Sequence, residues 1–325
     1  MVEPENVLAV NERAYRRLTS MLERRSIMRV TAAEPSCGGL LIDAGVEILG
    51  GLEAGLELAR IATAGLAEVT LTPTEHLSSG CPEVVIRTDH PIAACMACQY
   101  AGWRLAVGEY AAMASGPMRA AYSNEDFFND YSAFRDGEPE QVVGLLESRA
   151  LPGPDVFEHV AEKTGVRPNQ VALLVAPTGS LAGSIQVVAR SVETALHKLH
   201  ALGFDLTRVQ GGFGSAPLPP PTTNDLTAIG RTNDAILYGA RVTLWVDGDD
   251  ASIQSVGAQV PSASSSQHGA PFVEVFERYD RDFYKIDPGL FSPAQVTFQN
   301  LSTGRSQTFG RLEPAVLEHS FFGES

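Results

Sequence analysis

The sequence predicts an α/β fold of mixed α+β character, arranged in two domains. Short apolar runs typical of strands alternate with segments of helical periodicity, in both halves of the chain. The length of 325 residues suggests about two domains, and 44% hydrophobic with 19% charged residues is typical of a globular protein. We place the domains at residues 1–140 and 141–325, with a discontinuous domain as the alternative.

The first half contains three strands between helices. A helix is predicted over residues 11–25, where apolar side chains recur at helical spacing. GGLLIDAGV predicts a strand between glycine turns, and GGLEAGLELARIATAGL predicts a small-residue helix that ends near Gly65. AEVTLTP, closed by Pro73, and EVVIRT are the other strands. A further helix is expected from Pro91 to Trp103, because proline suits the first turn.

The second half repeats this alternation. EHVAEKTG indicates the end of a helix, QVALLVAP a strand, and residues from about Leu181 to Leu202 one helix. LTRVQGGFG predicts a strand and a turn. The segment 215–225, SAPLPPPTTND, is too rich in proline for a helix and predicts a rigid extended connection. ILYGARVTLWVD then predicts a strand with a glycine interruption.

Charge and composition exclude several classes of partner. The formal net charge is −15 and no Lys/Arg-rich run occurs, so we expect neither nucleic acid nor an anionic membrane as a partner. No run approaches the roughly 18 apolar residues of a membrane helix. The N-terminus, MVEPENVLAVNERAYRR, lacks the basic region and apolar core of a secretory signal. We therefore expect a cytoplasmic protein.

One stretch in the second half has no charged residue and is followed directly by two charged ones. No charged residue occurs from Pro168 to Ala189, and then Arg190 and Glu193 follow, one helical turn apart. On the single helix predicted here, Gln186, Arg190, Glu193 and His197 form a polar stripe beside the apolar face, and the pair is expected where burial ends. Either an ion pair on a solvated helix face or a catalytic pair at the edge of a cleft explains this spacing.

The cysteines and histidines have competing interpretations. Four cysteines are too few for a disulfide scaffold at this length, which predicts thiols in a reducing compartment. Cys95 and Cys98 in CMAC suggest a redox pair or half a metal site, but no second short-spaced pair exists, and buried thiols fit better. His197 and His200 are three residues apart without an indicated third ligand, so we predict ordinary surface histidines and no metal.

Two glycine-containing segments resemble ligand-binding loops. GGFGSAP contains G-x-G, but Pro217 stands where a third glycine would be and polyproline follows, so we reject a dinucleotide loop. PTGSLAGS precedes a predicted helix and either presents backbone N–H groups to a ligand or forms a close-packed turn.

Several longer strings are specific to one family. DHPIAACMACQYAGWRL, AMASGPMRA, VAPTGSLAGSIQVVARSVETALHK, GSAPLPPP, GRTNDAILYGARV and DFYKIDPGLFSPAQ together resemble the methenyltetrahydromethanopterin cyclohydrolases. The likeness runs in order from about Leu18 to Phe321. QYAGW resembles the bacterial, methylotroph-type branch. Archaeal members carry a lysine where Tyr100 stands, so any role of that lysine does not transfer.

The resemblance implies an assembly and an activity. It implies a homotrimer of two-domain α/β subunits, with the active-site cleft between the domains. The reaction is the reversible hydrolysis of a cyclic amidinium to N5-formyl-tetrahydromethanopterin, in one-carbon metabolism and formaldehyde oxidation. The tetrahydromethanopterin derivative serves as substrate carrier, and no metal or redox cofactor is implied. An arginine and a glutamate three residues apart are implicated in catalysis in that family, and they match Arg190 and Glu193.

This chemistry suits a paired carboxylate and guanidinium. Water adds to the methenyl carbon and loses a proton, and the bond to N10 then breaks as that nitrogen is protonated. Glu193 can serve both transfers, while Arg190 keeps it ionised and bonds the developing alkoxide. Gln186 is a candidate for positioning the water. Other polar residues in the family-like strings are candidates for binding the pterin: Ser115, Arg119, Thr178, Ser180, Asn233, Asp234 and Lys285.

Two rival functions remain open from the sequence. One is a formyl transferase or related hydrolase on the same carrier. The other is a pterin-binding or trimer-forming subunit without activity, against which the presence of both Arg190 and Glu193 argues.

Overall fold

A computed structural model describes residues 8–74 and 80–323 of the chain. It divides into two compact units that interleave along the sequence. The first unit comprises Met1–Ala67 and Ala93–Gln186, and the second comprises Glu68–Ile92 and Val187–Ser325. The boundary predicted after residue 140 falls within the second segment of the first unit.

Each unit contains one six-stranded sheet, which confirms the predicted α/β class. The strands are β1 (Thr31–Ala33), β2 (Leu40–Asp43), β3 (Ala67–Thr72), β4 (Glu83–Thr88), β5 (Trp103–Val107), β6 (Tyr110–Ser115), β7 (Val142–Glu147), β8 (Val171–Val175), β9 (Val209–Pro217), β10 (Arg241–Val246), β11 (Gln295–Asn300) and β12 (Ser306–Gly310).

The described residues also form α-helices. They are α1 (Val10–Glu23), α2 (Arg25–Met28), α3 (Leu52–Ala62), α4 (Met118–Tyr122), α5 (Phe127–Asp130), α6 (Pro154–Thr164), α7 (Leu181–Val188), α8 (Ser191–Ala201), α9 (Asp225–Leu237), α10 (Asp250–Gly257), α11 (Phe272–Arg278) and α12 (Pro314–Phe322).

The sheet of the first unit has the order β1-β2-β8-β7-β6-β5. Strands β2, β8 and β7 are parallel, with Leu40 opposite Ala172 and Val142 opposite Val171, and the outer pairs are antiparallel. Along β8 the side chains alternate between two cores: Leu174 packs with residues of α1 and α3, and Leu173 packs with residues of α4 and α6. Burial on both faces explains why VALLV carries no polar residue.

The sheet of the second unit has the order β12-β11-β10-β9-β4-β3. Strands β10 and β11 pair in parallel, while β9 is antiparallel to both β10 and β4. Helix α8 packs on β9 and β10, and α9 packs on β9 and on helices α11 and α12. Strand β9 therefore lies inside the sheet, beneath the helix that carries the candidate catalytic pair.

Local predictions hold where a cap or strict periodicity supports them. Helix α1 matches the predicted span to within two residues at each end, and α6 ends at Gly165, which adopts the left-handed conformation at φ 76°. The helix expected from Pro91 to Trp103 is shorter and is a π-helix, Ile92–Gln99.

Three predictions in the second half are wrong. The single helix expected over 181–202 is interrupted after Val188 and restarts at Ser191. GGFG is not a turn, because β9 continues through it to Pro217. ILYG belongs to the end of α9 and its connection rather than to a strand.

The four cysteines are free thiols, as predicted. Cys95 and Cys98 lie in the π-helix with no exposed surface, and burial raises the pKa of Cys98. They are packing residues. Over residues 8–74 and 80–323, no helix is long and apolar enough to cross a membrane.

Candidate active site

Arg190 and Glu193 lie at the beginning of helix α8. Arg190 occupies the N-cap position, and its carbonyl accepts a hydrogen bond from the Thr194 amide at 2.9 Å. Glu193 is the third residue of the helix, within the turn where the unpaired amides favour a carboxylate. The interruption before α8 thus gives the pair a helix N-terminus, which the uninterrupted helix of the prediction does not offer.

Glycines in β9 let this helix lie unusually close to the sheet. A Cβ atom on Gly214 would stand 2.3 Å from Ser191 Oγ, and one on Gly212 would stand 2.7 Å from Val192 Cγ1. Any side chain at either position would push the first turn of α8 outwards. The G-x-G pattern therefore serves close packing beneath the candidate catalytic pair.

Both charged side chains are buried. Arg190 is 8% exposed and Glu193 is 3% exposed. The expectation that they lie where burial ends is wrong, and the interpretation as an ion pair on a solvated face is excluded. Buried charges cost free energy unless they are paired and hydrogen-bonded, so their presence here favours a functional role.

A second contact fixes α8 further along. The Nζ of Lys198 donates a 2.8 Å hydrogen bond to the carbonyl of Gly289. Burial lowers the pKa of Lys198, and the carboxylate of Asp287 opposes this shift. Asp287 in turn accepts hydrogen bonds from the Gly289 amide and from Ser265. Helix α8 is held both at its N-terminal turn and at Lys198.

Thr178 and Ser180 follow the carboxyl end of β8 in the first unit. Ser180 Oγ accepts from the Gly183 amide at 3.0 Å and donates to the Pro177 carbonyl at 2.8 Å, so it caps helix α7. A Cβ atom on Gly45 would stand 2.6 Å from the same hydroxyl. Of the two interpretations of PTGSLAGS, these contacts favour the close-packed turn at Ser180.

Glu147 is a candidate that sequence reasoning missed. It ends the parallel strand β7, beside β8, and its side chain is half-buried. Thr178 Oγ1 lies 3.5 Å from Glu147 Oε2, at the long end of hydrogen-bond distance. Ligands of α/β sheets bind outside the carboxyl ends of parallel strands. The available signal was an acid directly after the apolar run VVGLL.

Ser115 and Arg119 lie near the end of β6, and both are 1% exposed. The guanidinium of Arg119 pairs with the Glu125 carboxylate and also donates to the carbonyls of Met96 and Cys98, at 3.0 and 3.3 Å. Its carbon Cζ lies 4.9 Å from the centre of the Tyr100 ring. These contacts give Arg119 a structural role around the π-helix. A pterin contact for either residue stays a prediction.

Gln186 is 2% exposed and lies in helix α7. The polar stripe predicted from Gln186 through Arg190 to Glu193 assumed one continuous helix. Because the helix is interrupted at residues 189–190, that periodicity does not carry across, and a water-positioning role for Gln186 stays a prediction.

Asn233 and Asp234 lie on helix α9 in the second unit. The Asn233 side-chain amide donates to the Ile229 carbonyl one turn earlier, at 2.8 Å. Asp234 is fully buried and accepts hydrogen bonds from the Phe272 amide at 2.8 Å and the Ser320 hydroxyl at 2.6 Å. Asp234 thus joins α9 to α11 and α12, and a pterin contact for either residue stays a prediction.

Burial at Asp234 should make stability depend on pH. Desolvation raises the pKa of Asp234 to about 7, although the hydrogen bonds from Ser320 and Phe272 oppose the shift. The folded chain therefore retains a proton between about pH 4 and pH 7 that the unfolded chain releases. The free energy of unfolding should fall as pH rises through this window, by at most about 1.4 kcal/mol per pH unit.

Asp234→Asn should remove this contribution, because an amide can accept from the Phe272 amide and donate to the Ser320 hydroxyl at any pH. Urea unfolding from pH 5 to pH 8 measures the slope for each protein. Asp225→Asn removes an exposed carboxylate from the same helix and is the control. An unchanged slope in Asp234→Asn would contradict the assignment.

Lys285 lies on an exposed turn, where its Nζ donates to Asp280 Oδ2 at 2.8 Å. This contact raises the pKa of Lys285.

No group of three or more His, Cys, Asp or Glu side chains suited to a metal ion occurs in the described part of the chain.

Comparison with known proteins gives one consistent result. A family model described as Cyclohydrolase (MCH) matches residues 9–321. The proteins named methenyltetrahydromethanopterin cyclohydrolase include one from Rhodopirellula baltica that is 51% identical over 287 residues, covering 87% of this chain and 86% of that protein. One from Methylobacterium organophilum is 44% identical, covering 90% and 91%. One from Methanococcoides burtonii is 37% identical, covering 97% and 98%.

Proposed function

The chain belongs to the cyclohydrolase (MCH) family, and from this membership we infer that it interconverts 5,10-methenyl-tetrahydromethanopterin and N5-formyl-tetrahydromethanopterin. It is a hydrolase that acts on a carbon–nitrogen bond of a cyclic amidine, in one-carbon metabolism. The observation that carries the mechanism is the buried pair of Arg190 and Glu193 at the beginning of α8.

We propose that Glu193 moves the protons. Water attacks the methenyl carbon of the amidinium, and the Glu193 carboxylate takes one proton from it, which leaves a neutral carbinolamine. The bond from this carbon to N10 then breaks, its electron pair going to N10, while the carbinol oxygen becomes the formyl carbonyl. N10 takes a proton from Glu193, and the second proton of the water is released to solvent.

In this scheme Arg190 stabilises the substrate oxygen that develops negative charge. Its guanidinium offers N–H donors to the oxygen that develops negative charge. The N-terminal turn of α8 adds partial positive charge at the same place. Because the amidinium carbon is already electrophilic, we propose that no metal or redox cofactor takes part.

The direct test follows the methenyl chromophore. Adding the purified protein to 5,10-methenyl-tetrahydromethanopterin should abolish the chromophore's absorbance, and mass spectrometry should find the N5-formyl compound as product. Transfer of the formyl group to another acceptor, or no change in absorbance, would contradict the proposed reaction.

We propose that Glu147 and Thr178 contribute to pterin binding. The amino-pyrimidinone edge of a pterin presents adjacent N–H donors, which a carboxylate can accept in parallel. Glu147 supplies a half-buried carboxylate at the carboxyl end of β7, and Thr178 stands beside it.

Glu147→Gln should raise KM about 10- to 100-fold and leave kcat nearly unchanged, because one charge-assisted contact is lost in both ground and transition states. The control is Glu158→Gln, which removes an exposed carboxylate from the same unit and should change neither constant. Steady-state kinetics of the two variants measure kcat and KM. An unaltered KM in Glu147→Gln would show that this carboxylate does not bind the substrate.

The resemblance to the family supports a homotrimer, which we propose as the assembly in solution. Three chains of 34.7 kDa give about 104 kDa. Light scattering at micromolar concentration should find this mass, and a stable monomer would argue against it.

We also propose a cytoplasmic location, which the four free thiols support, and no nucleic-acid partner, in keeping with the net charge of −15.

A further inference from the structure

Helix α1 and the end of α3 enclose an arginine-lined cavity in the first unit. The cavity measures about 420 Å³, and its lining includes Arg13, Arg16, Arg17, Arg24 and Glu57. None of these side chains takes part in the proposed hydrolysis. The cavity opens to solvent, since Arg16 and Arg24 are exposed.

The lining concentrates positive charge in an acidic protein. Four arginines face one glutamate, an excess of three positive charges, whereas the whole chain carries −15. Clustered guanidinium groups repel one another, which destabilises the folded chain unless a bound anion offsets the repulsion. A concave surface of one sign raises the local concentration of ions of the opposite sign.

The arrangement of these arginines is fixed from beneath. Glu57 is buried, with its side chain 8% exposed, and accepts from Arg17 through both oxygens, at 2.7 and 2.9 Å. Gly65 makes room for this, because a Cβ atom there would stand 2.8 Å from Arg17 Cδ. Arg13 Nε donates to the Ala64 carbonyl at 3.3 Å. The Glu57 carboxylate thus holds the guanidinium of Arg17 in place.

The remaining arginines have weaker attachments. The nearest carboxylate oxygen to Arg16 belongs to Glu12, at 3.9 Å, which is an exposed pair beyond hydrogen-bond distance. Arg16 can therefore turn towards a ligand without breaking a strong contact, and Arg24 is exposed at the rim of the cavity.

We propose that this cavity binds a small multivalent anion through phosphate or carboxylate groups. Guanidinium groups present planar pairs of N–H donors that match both groups. The volume lies in the range of small-molecule sites. An excess of three positive charges favours an anion of two or more charges over a single monovalent ion.

Isothermal titration calorimetry on the full chain tests the proposal with two probes, pyrophosphate and tricarballylate, in buffers adjusted with KCl to equal ionic strength. Saturable binding of at least one probe at one site per chain is expected, with a higher melting temperature at saturation. Tighter binding of pyrophosphate assigns the site to phosphate compounds, and tighter binding of tricarballylate assigns it to polycarboxylates.

The double variant Arg16→Gln/Arg24→Gln should fold normally and bind the preferred probe about tenfold or more weakly. Arg278→Gln/Arg311→Gln makes the same change of charge at exposed arginines of the other unit and is the matched control. Equal weakening in both double variants, or no saturable binding of either probe, would overturn the proposal. The result does not depend on the hydrolase reaction, because the readout is binding alone.

Discussion

Glu193→Gln should lower turnover by about 10²- to 10⁴-fold while the fold and much of the pterin affinity persist. The substitution is nearly isosteric, so the first turn of α8 should keep its packing on β9. An amide cannot take the proton from water or return it to N10. The loss should therefore appear in kcat, with a much smaller change in KM.

Stopped-flow loss of the methenyl absorbance, with thermal melts of the same samples, separates chemistry from stability. Glu277→Gln removes an exposed carboxylate from the same unit, and its turnover should equal that of the unaltered protein. Near-normal turnover in Glu193→Gln would refute the assignment of the general base and leave the family membership intact.

Arg190→Lys should also fail, by about 10²- to 10³-fold in turnover. Lysine keeps the positive charge but lacks the planar pair of donors that can join a carboxylate and a substrate oxygen. Arg190 is only 8% exposed, so little water can reach the site. The polar groups that lose their guanidinium partner in Arg190→Lys would therefore stay unpaired, which costs free energy. Arg278→Lys, at an exposed position, is the control and should change nothing.

The double variant Arg190→Lys/Glu193→Gln adds a diagnostic. Residues that act as one unit show losses that are far from multiplicative, so the double variant should be little slower than the worse single variant. If the two side chains formed only a structural ion pair, each single change would alter the melting temperature and leave kcat alone. Fully multiplicative losses would indicate independent roles.

The sequence predicted the parts of this protein that depend on local patterns. Helix α1 follows from apolar residues at helical spacing, α6 ends at Gly165 because only glycine adopts that φ readily, and β8 is an uninterrupted apolar run. Specific strings spread along the chain from residue 89 to residue 295, one of which contains Arg190 and Glu193, indicated the family, which the comparisons confirm.

Other features were decided only by tertiary structure. Nothing in the local periodicity of 181–202 marks the break after Val188, and G-x-G reads as a turn until α8 is seen lying on β9. The interleaving of the two units depends on which strands pair across more than a hundred residues. The arginines of α1, with Arg24 directly after it, appear as separate charges along the chain and become one basic cavity only where the end of α3 meets them. Local propensity acts over a few residues, whereas close approach, burial and summed charge arise between segments that are distant in sequence, so only the folded chain defines them.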